Sequence, residues 1–426
     1  MEKNTQTIER LQTKALTMKT EIFQIAKQVL KELILQIPET VDGVERQVFI
    51  GKELLARATE AERMVLRKLI NFLLTEMRIR EASDIDFGGW GSQKMVWLRI
   101  NGEKKPVPEF GTFEADESDL LIQNLLLENQ RGILYRQRSI DFSYAFRNGT
   151  LLRHRASAYF DMDTLSLNMR AIQTEIRAYQ SYEFSPLVTR VLNLAHTKEG
   201  LILVTGITGS GKSSTLDAIV DLNNQAVHAH IVIISSPIEF VHRSKKCIIR
   251  HREVGRDTLS FKQGTVEALR QDPDIIIIGE MRDPETIMAA LEVADSGHKV
   301  FSTLHTSSAV ESIDRILGEV PPVEQERVKN RLADILRCVI SQKLVPALDS
   351  NRVLAKEVMV MTPSIKAAIK NNNTSEIYQM IAESKKYGMT TIEQDLARLY
   401  VQRRISRETA MNFANNKRRM QQLLNV

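Results

Sequence analysis

The stretch Gly206-Ile-Thr-Gly-Ser-Gly-Lys-Ser213 constrains this chain more than any other. The apolar run LILVT ends just before it, and the helix-forming run SSTLDAIVDL begins at Ser213. Strand, glycine-rich turn and helix in that order make a phosphate-binding loop in an α/β core. Glycines let the backbone curl so that successive N–H groups point at phosphate oxygens. The helix that starts there presents its positive N-terminal end to the same anion. The candidate nucleotide-binding residues are therefore Gly206, Thr208, Gly209, Ser210, Gly211, Lys212, Ser213 and Ser214. Lys212 supplies a point charge for the β- and γ-phosphates of ATP, and the Ser213 hydroxyl is the candidate Mg²⁺ ligand.

Around this loop, residues 186–345 alternate short apolar runs with helical segments. Leu201–Thr205, His230–Ile234, Ile275–Ile278 and Lys299–Leu304 read as strands. Runs this uniformly apolar fit parallel strands covered on both faces. Three further groups carry chemistry. Asp274-Ile-Ile-Ile-Ile-Gly-Glu280 puts an acid at a strand's carboxyl end, where ligands of open α/β sheets bind. Glu280 can hold the metal through water or orient an attacking water. Gly279 stands where an aspartate is usual in such a motif. Ser235-Ser-Pro-Ile-Glu239 puts a second carboxylate, Glu239, after the strand 230–234. His298 and His305 flank the run KVFSTL, and a histidine after a strand can sense the γ-phosphate.

The 426 residues leave room for two to three domains. Residues 1–36 read as one amphipathic helix, with Leu11, Ala15, Met18, Ile22, Ile25 and Val29 on its apolar face. A second helix is expected over 53–77, so 1–76 is taken as a helical extension. An α+β domain follows to 178, with strands at Ile85–Phe87, Met95–Ile100, Ile140–Phe146 and Ala156–Phe160. Asn101-Gly102 and Asn148-Gly149 are hairpin-turn pairs, and 117–130 is expected to be helical. Residues 179–185 read as a linker, 186–362 as the ATPase domain and 363–426 as a basic helical region. The run Lys417-Arg418-Arg419 is a solvated helix face on the simplest reading.

Composition closes off other classes. Two cysteines, Cys247 and Cys338, make neither a disulfide framework nor a Cys-rich zinc site. No run of about 18 apolar residues predicts a membrane span, and the N-terminus has no apolar signal core. Membrane contact is therefore expected to be peripheral or through a partner. A net charge of +5 without clustered aromatic and basic residues argues against nucleic-acid translocation.

The order of loop, acid, glutamate strand and histidine strand resembles the secretion-ATPase superfamily. Within it the chain is most similar to the type IV pilus retraction ATPases, the PilT/PilU group. The likeness runs from about 77 to 410. Its carriers include Phe240-Val-His-Arg-Ser-Lys-Lys-Cys, Arg252-Glu-Val-Gly-Arg-Asp-Thr, Gly279-Glu-Met-Arg-Asp-Pro-Glu-Thr and Phe301-Ser-Thr-Leu-His-Thr-Ser-Ser-Ala. Ala268-Leu-Arg-Gln-Asp-Pro-Asp and Val339-Ile-Ser-Gln-Lys-Leu-Val-Pro extend it.

This resemblance implies a PAS-like N-terminal α+β domain joined to a RecA-like core, assembled as a homo-hexamer. It assigns Lys212 to Walker A, Glu280 to Walker B, Glu239 to the "Asp box" and His298 with His305 to the "His box". Arg153, Arg155 and Arg170 fall where the family places basic residues that reach the nucleotide. The implied activity is ATP hydrolysis driving pilus retraction at the cytoplasmic face of the inner membrane. The implied partners are a membrane platform protein and a second pilus ATPase.

Three departures stand out. Ser235 and Ser236 replace two acids of the Asp box. The C-terminal retraction motif reads Ser364-Ile-Lys-Ala-Ala-Ile-Lys-Asn371, with lysines for arginines. Residues 1–76 have no counterpart. A weakly hydrolysing regulatory subunit is the alternative reading.

Overall fold

A computed structural model describes residues 21–100, 102–172, 175–349 and 351–425. The chain divides into two compact units, residues 1–174 and 175–426.

The first unit opens with a helix over 21–34; the part of the expected 1–36 helix before residue 21 lies outside the described residues. The helix expected over 53–77 is broken. Gly43–Phe49 is helical, Ile50–Leu54 is a wider π turn, and Leu55–Arg57 resumes before Ala58 turns extended. A new helix, Glu60–Ile79, starts there because Thr59 accepts from Glu62 N while the Glu62 carboxylate accepts from Thr59 N at 2.7 Å. This capping box ends one helix and begins another, whereas the apolar spacing runs through it unchanged.

The sheet strands are β1 (Asp84–Gly88), β2 (Trp97–Ile100), β3 (Glu103–Pro106), β4 (Ser139–Asn148), β5 (Thr150–Asp161) and β6 (Thr164–Ala171). They order as β3-β2-β1-β6-β5-β4 with every neighbour antiparallel. Two were not expected. β3 is the exposed edge EKKP, which has no apolar alternation to reveal it. β6 runs TLSLNMRA, and its neighbours β1 and β5 supply the pairing its mixed pattern does not announce. The Asn148-Gly149 turn holds, with Asn148 opposite Thr150. In the other turn Gly102 joins the paired Ile100 and Glu103, while Asn101 lies outside the described residues. The helical stretch at 117–130 is two helices, Ala115–Leu125 and Glu128–Gln137.

The early helices are not a separate extension. Leu30, Leu33, Leu54, Leu66, Leu69 and Leu73 share one buried core with Ile85, Phe87, Leu98 and Leu167 of the sheet. Each such burial contributes roughly 1.5–3 kcal/mol, so helices and sheet stabilise each other.

The second unit carries β7 (Gly200–Thr205), β8 (His230–Ser235), β9 (Ile248–Glu253), β10 (Ile275–Ile278), β11 (Lys299–Leu304), β12 (Leu336–Pro346) and β13 (Arg352–Val360). Their order is β13-β12-β7-β11-β10-β8-β9. All pairs are parallel except β12 with β13. Every residue of β7, β10 and β11 is buried, as runs without polar alternation require. The stretch 179–185 is no free linker: Tyr179–Tyr182 forms a 3₁₀ turn, Tyr182 is buried, and Ser185 caps the next helix. The C-terminal region is helical as expected, ending in Lys417–Leu424.

Candidate active site

Parallel strands bring their carboxyl ends to one edge of the sheet. Here Thr205 lies opposite Leu304, Ser302 opposite Ile278, and Ile278 opposite Ile234. The segments leaving β7, β11, β10 and β8 therefore stand side by side in that order. They carry the glycine loop, His305, Glu280 and Glu239 respectively.

The loop turns sharply at Gly206, whose φ of +147° a side chain rarely adopts. A β-carbon there would sit 2.4 Å from Ser210 Oγ and 2.5 Å from the Gln342 carbonyl. The following helix, Lys212–Ala226, starts directly from the loop, with Gly211 left-handed before it. Lys212 Nζ donates to the Gly206 and Ile207 carbonyls at 2.7 and 3.1 Å, which holds the ammonium over the loop. Ser210 Oγ is buried with no hydrogen-bond partner among the described residues. Thr208, Gly209 and Ser214 are exposed, and Ser213 is half-buried on the first helical turn. An amide-lined turn, a lysine above it and an unsatisfied hydroxyl fit a polyphosphate.

Burial pulls the Lys212 pKa below its ordinary value, while the Glu280 and Glu239 carboxylates oppose that shift. The charges of both acids thus reach the lysine. Glu280 is held from two sides. Its Oε1 is 3.0 Å from His305 Nε2 and its Oε2 is 2.7 Å from Arg282. A carboxylate can only accept, so the His305 Nε2 proton donates to it. Burial, and then the positive charge of Lys212, hold the His305 pKa below its ordinary value, against the pull of Glu280. His305 is therefore a neutral imidazole near pH 7, with its tautomer set by Glu280. Arg282 escaped sequence reading, since only the turn after β10 folds it back onto Glu280.

His298 is the correction. It precedes β11, and its carbonyl accepts from Gly200 N at the opposite end of the sheet. At about 3.3 Å per residue, β11 separates it from His305 by about 20 Å. Its Nδ1 pairs with Ser296 Oγ at 3.0 Å. His298 is thus not in the site; flanking a strand on both sides guarantees that two residues lie at opposite ends.

Arg153, Arg155 and Arg170 belong to the first unit. Arg155 and Arg170 lie opposite each other on β5 and β6. Arg170 Nε donates to Asp84 at 2.8 Å, and Arg155 approaches Asp141 at 3.6 Å. The Arg153 carbonyl accepts from Arg78 at 3.0 Å.

Residues 59–352 match the profile of the family described as Type II/IV secretion system protein. The chain belongs to this family. It is 38% identical over 317 residues to the type IV pilus retraction ATPase PilT of Pseudomonas aeruginosa, covering 74% of this chain and 90% of that one. It is 31% identical to the type IV pilus ATPase PilU of the same organism, covering 75% and 82% of the two chains. A crystal structure of the pilus retraction motor PilT with bound ADP superposes with a TM-score of 0.73 at 36% identity, covering 82% of this chain and 98% of that one. The match spans both units, so the secretion-ATPase fold, an N-terminal domain followed by the ATPase core, holds for this family member. No helix among the described residues is long and apolar enough to cross a membrane.

Proposed function

We propose that this chain is an ATP-driven motor that powers type IV pilus retraction. The observation that carries the reading is Glu280, fixed between His305 and Arg282 at the edge that carries the glycine loop. The likeness to PilT supplies the process. ATP binds on the loop of Gly206 to Ser214, with Lys212 on the β- and γ-phosphates. Glu280, oriented by neutral His305, positions the attacking water and takes its proton. Glu239 adds a second carboxylate at the same edge.

Among the described residues no three His, Cys, Asp or Glu side chains converge to hold a metal alone. A Mg²⁺ ion accompanying the nucleotide would be held by the phosphates and the Ser213 hydroxyl. When bound, it neutralises charge that builds on the phosphate oxygens. Arg153, Arg155 and Arg170 are the candidate basic residues for the nucleotide within a homo-hexamer. The motor works in the cytoplasm against an inner-membrane platform protein and alongside a second pilus ATPase.

The second reading is a regulatory subunit that binds ATP and turns it over poorly. Ser235 and Ser236, where the family has acids, favour it. Steady-state ATP turnover of the purified oligomer separates the two, with Lys212→Ala and Glu280→Ala as controls. Turnover abolished in both variants supports the motor. Nucleotide binding without turnover in the parent chain refutes it and selects the regulatory subunit.

A further inference from the structure

His305 is half-exposed, and the segment behind it is fastened atom by atom. Thr306 Oγ1 and Ser312 Oγ share a hydrogen bond of 2.7 Å. Ser307 N and Oγ both donate to Glu311, at 2.7 and 2.5 Å. Ala309 N donates to the buried Glu357 carboxylate at 2.8 Å. The remaining hold comes from far along the chain. The Ser307 carbonyl accepts from Asn415 Nδ2 at 3.2 Å, across 108 positions of sequence.

Asn415 lies between the helices Arg407–Phe413 and Lys417–Leu424. It is itself oriented. Lys343 Nζ, on β12, donates to Asn415 Oδ1 at 2.5 Å and to the Phe413 carbonyl at 2.7 Å. The next residue is pinned as well: Asn416 N donates to the buried Glu393 at 2.7 Å. With Oδ1 taken by the lysine, the amide NH₂ points at Ser307, so the assignment of oxygen and nitrogen follows from the partners.

We propose that Asn415, oriented by Lys343, is a positioning residue that sets His305 against Glu280, so that the C-terminal helices tune ATP turnover. It touches no reacting atom and acts through the backbone two residues beyond His305. A shift of about 1 Å in a catalytic group costs up to 10²-fold in rate, so one backbone hydrogen bond at this point has leverage. The inference rests on His305 acting on Glu280 as proposed above.

Asn415→Asp tests it. The aspartate keeps an acceptor for Lys343 and loses the donor to Ser307. Lys343→Met removes the orienting contact instead. Each variant is assayed for kcat, KM, binding of a fluorescent ADP analogue and Tm, alone and combined with His305→Ala. The expected result is a kcat lowered about tenfold with KM, ADP binding and Tm unchanged. In the His305→Ala background the same substitutions should have no further effect on kcat. Unchanged kcat in Asn415→Asp overturns the proposal, as does an equal further fall in the His305→Ala background. Wild-type turnover in His305→Ala alone strikes at the role of His305 itself and removes the proposal with its premise.

Discussion

A β-carbon added to Gly279 would stand 2.6 Å from Ser235 Oγ and 3.2 Å from the Ile234 carbonyl. The strand ends of β8 and β10 approach so closely that the residue before Glu280 has no room for a side chain. Gly279 thus gives the Ser235 hydroxyl its place, and an aspartate there would have to displace it.

Gly279→Asp should therefore destabilise the second unit by about 1–3 kcal/mol, the usual range for overpacking. Turnover should fall with it. Thermal denaturation of Gly279→Asp and of the double variant with Ser235→Gly checks the cause, because the smaller partner should recover part of the loss. Equal Tm values for the two would place the strain elsewhere.

Ser235 and Ser236 stand at the carboxyl end of β8, with Ser236 exposed and the Ser235 hydroxyl donating to the Pro237 carbonyl at 3.0 Å. The Ser235 hydroxyl occupies the space that the absent side chain at 279 leaves, so a longer side chain at 235 can start along the same path. Ser235→Glu with Ser236→Asp should fold normally and raise ATP turnover severalfold, through added carboxylates beside the proposed Mg²⁺ position. A Mg²⁺ titration of kcat makes the comparison; identical curves would show that the serines are neutral.

Glu280→Gln keeps the shape of the acid and removes its charge. Its kcat should fall by about 10²–10⁴, the usual contribution of a positioned base, with nucleotide binding retained. The pH profile gives a second reading. Because the His305 pKa lies below its ordinary value, the acid limb of kcat should fall below about pH 6.5. A limb that stays unmoved in His305→Ala would assign it to another group.

In the first unit, His154 is fully buried and stacks on Phe146 with ring centroids 6.0 Å apart. Burial, and then the charge of Arg78, push its pKa down to about 3. The folded value lies below the unfolded one, so the unfolded chain binds the extra proton as pH falls. Stability is therefore lost between about pH 6.5 and 3. His154→Phe should shrink the drop in Tm on acidification from pH 7 to 4. A drop as large as in the parent chain would exclude this histidine as the cause.

The nucleotide loop was legible from the sequence because every part of it is local. Strand, glycines, lysine and helix lie within about twenty consecutive residues, and backbone geometry links each to the next. The acids at 239 and 280 were legible for a related reason: a buried apolar run followed by a carboxylate marks a strand's carboxyl end. His298 shows where that logic stops. Composition near a strand does not say which end faces the ligand; direction does, and parallel pairing of β11 with β7 set it. The helix break at Ala58 was hidden for the opposite reason, since the apolar spacing carries through while the Thr59 cap interrupts the backbone.

The sequence by itself determined the phosphate-binding loop, the parallel core and the class of chemistry, because these rest on short-range periodicity and on residues adjacent in the chain. Tertiary structure decided that Arg282 and His305 grip one carboxylate, that Gly279 makes way for Ser235, and that Asn415 reaches Ser307. Each of those contacts joins separate elements, and side chains from separate elements meet only where the packing of the sheet and its helices puts them.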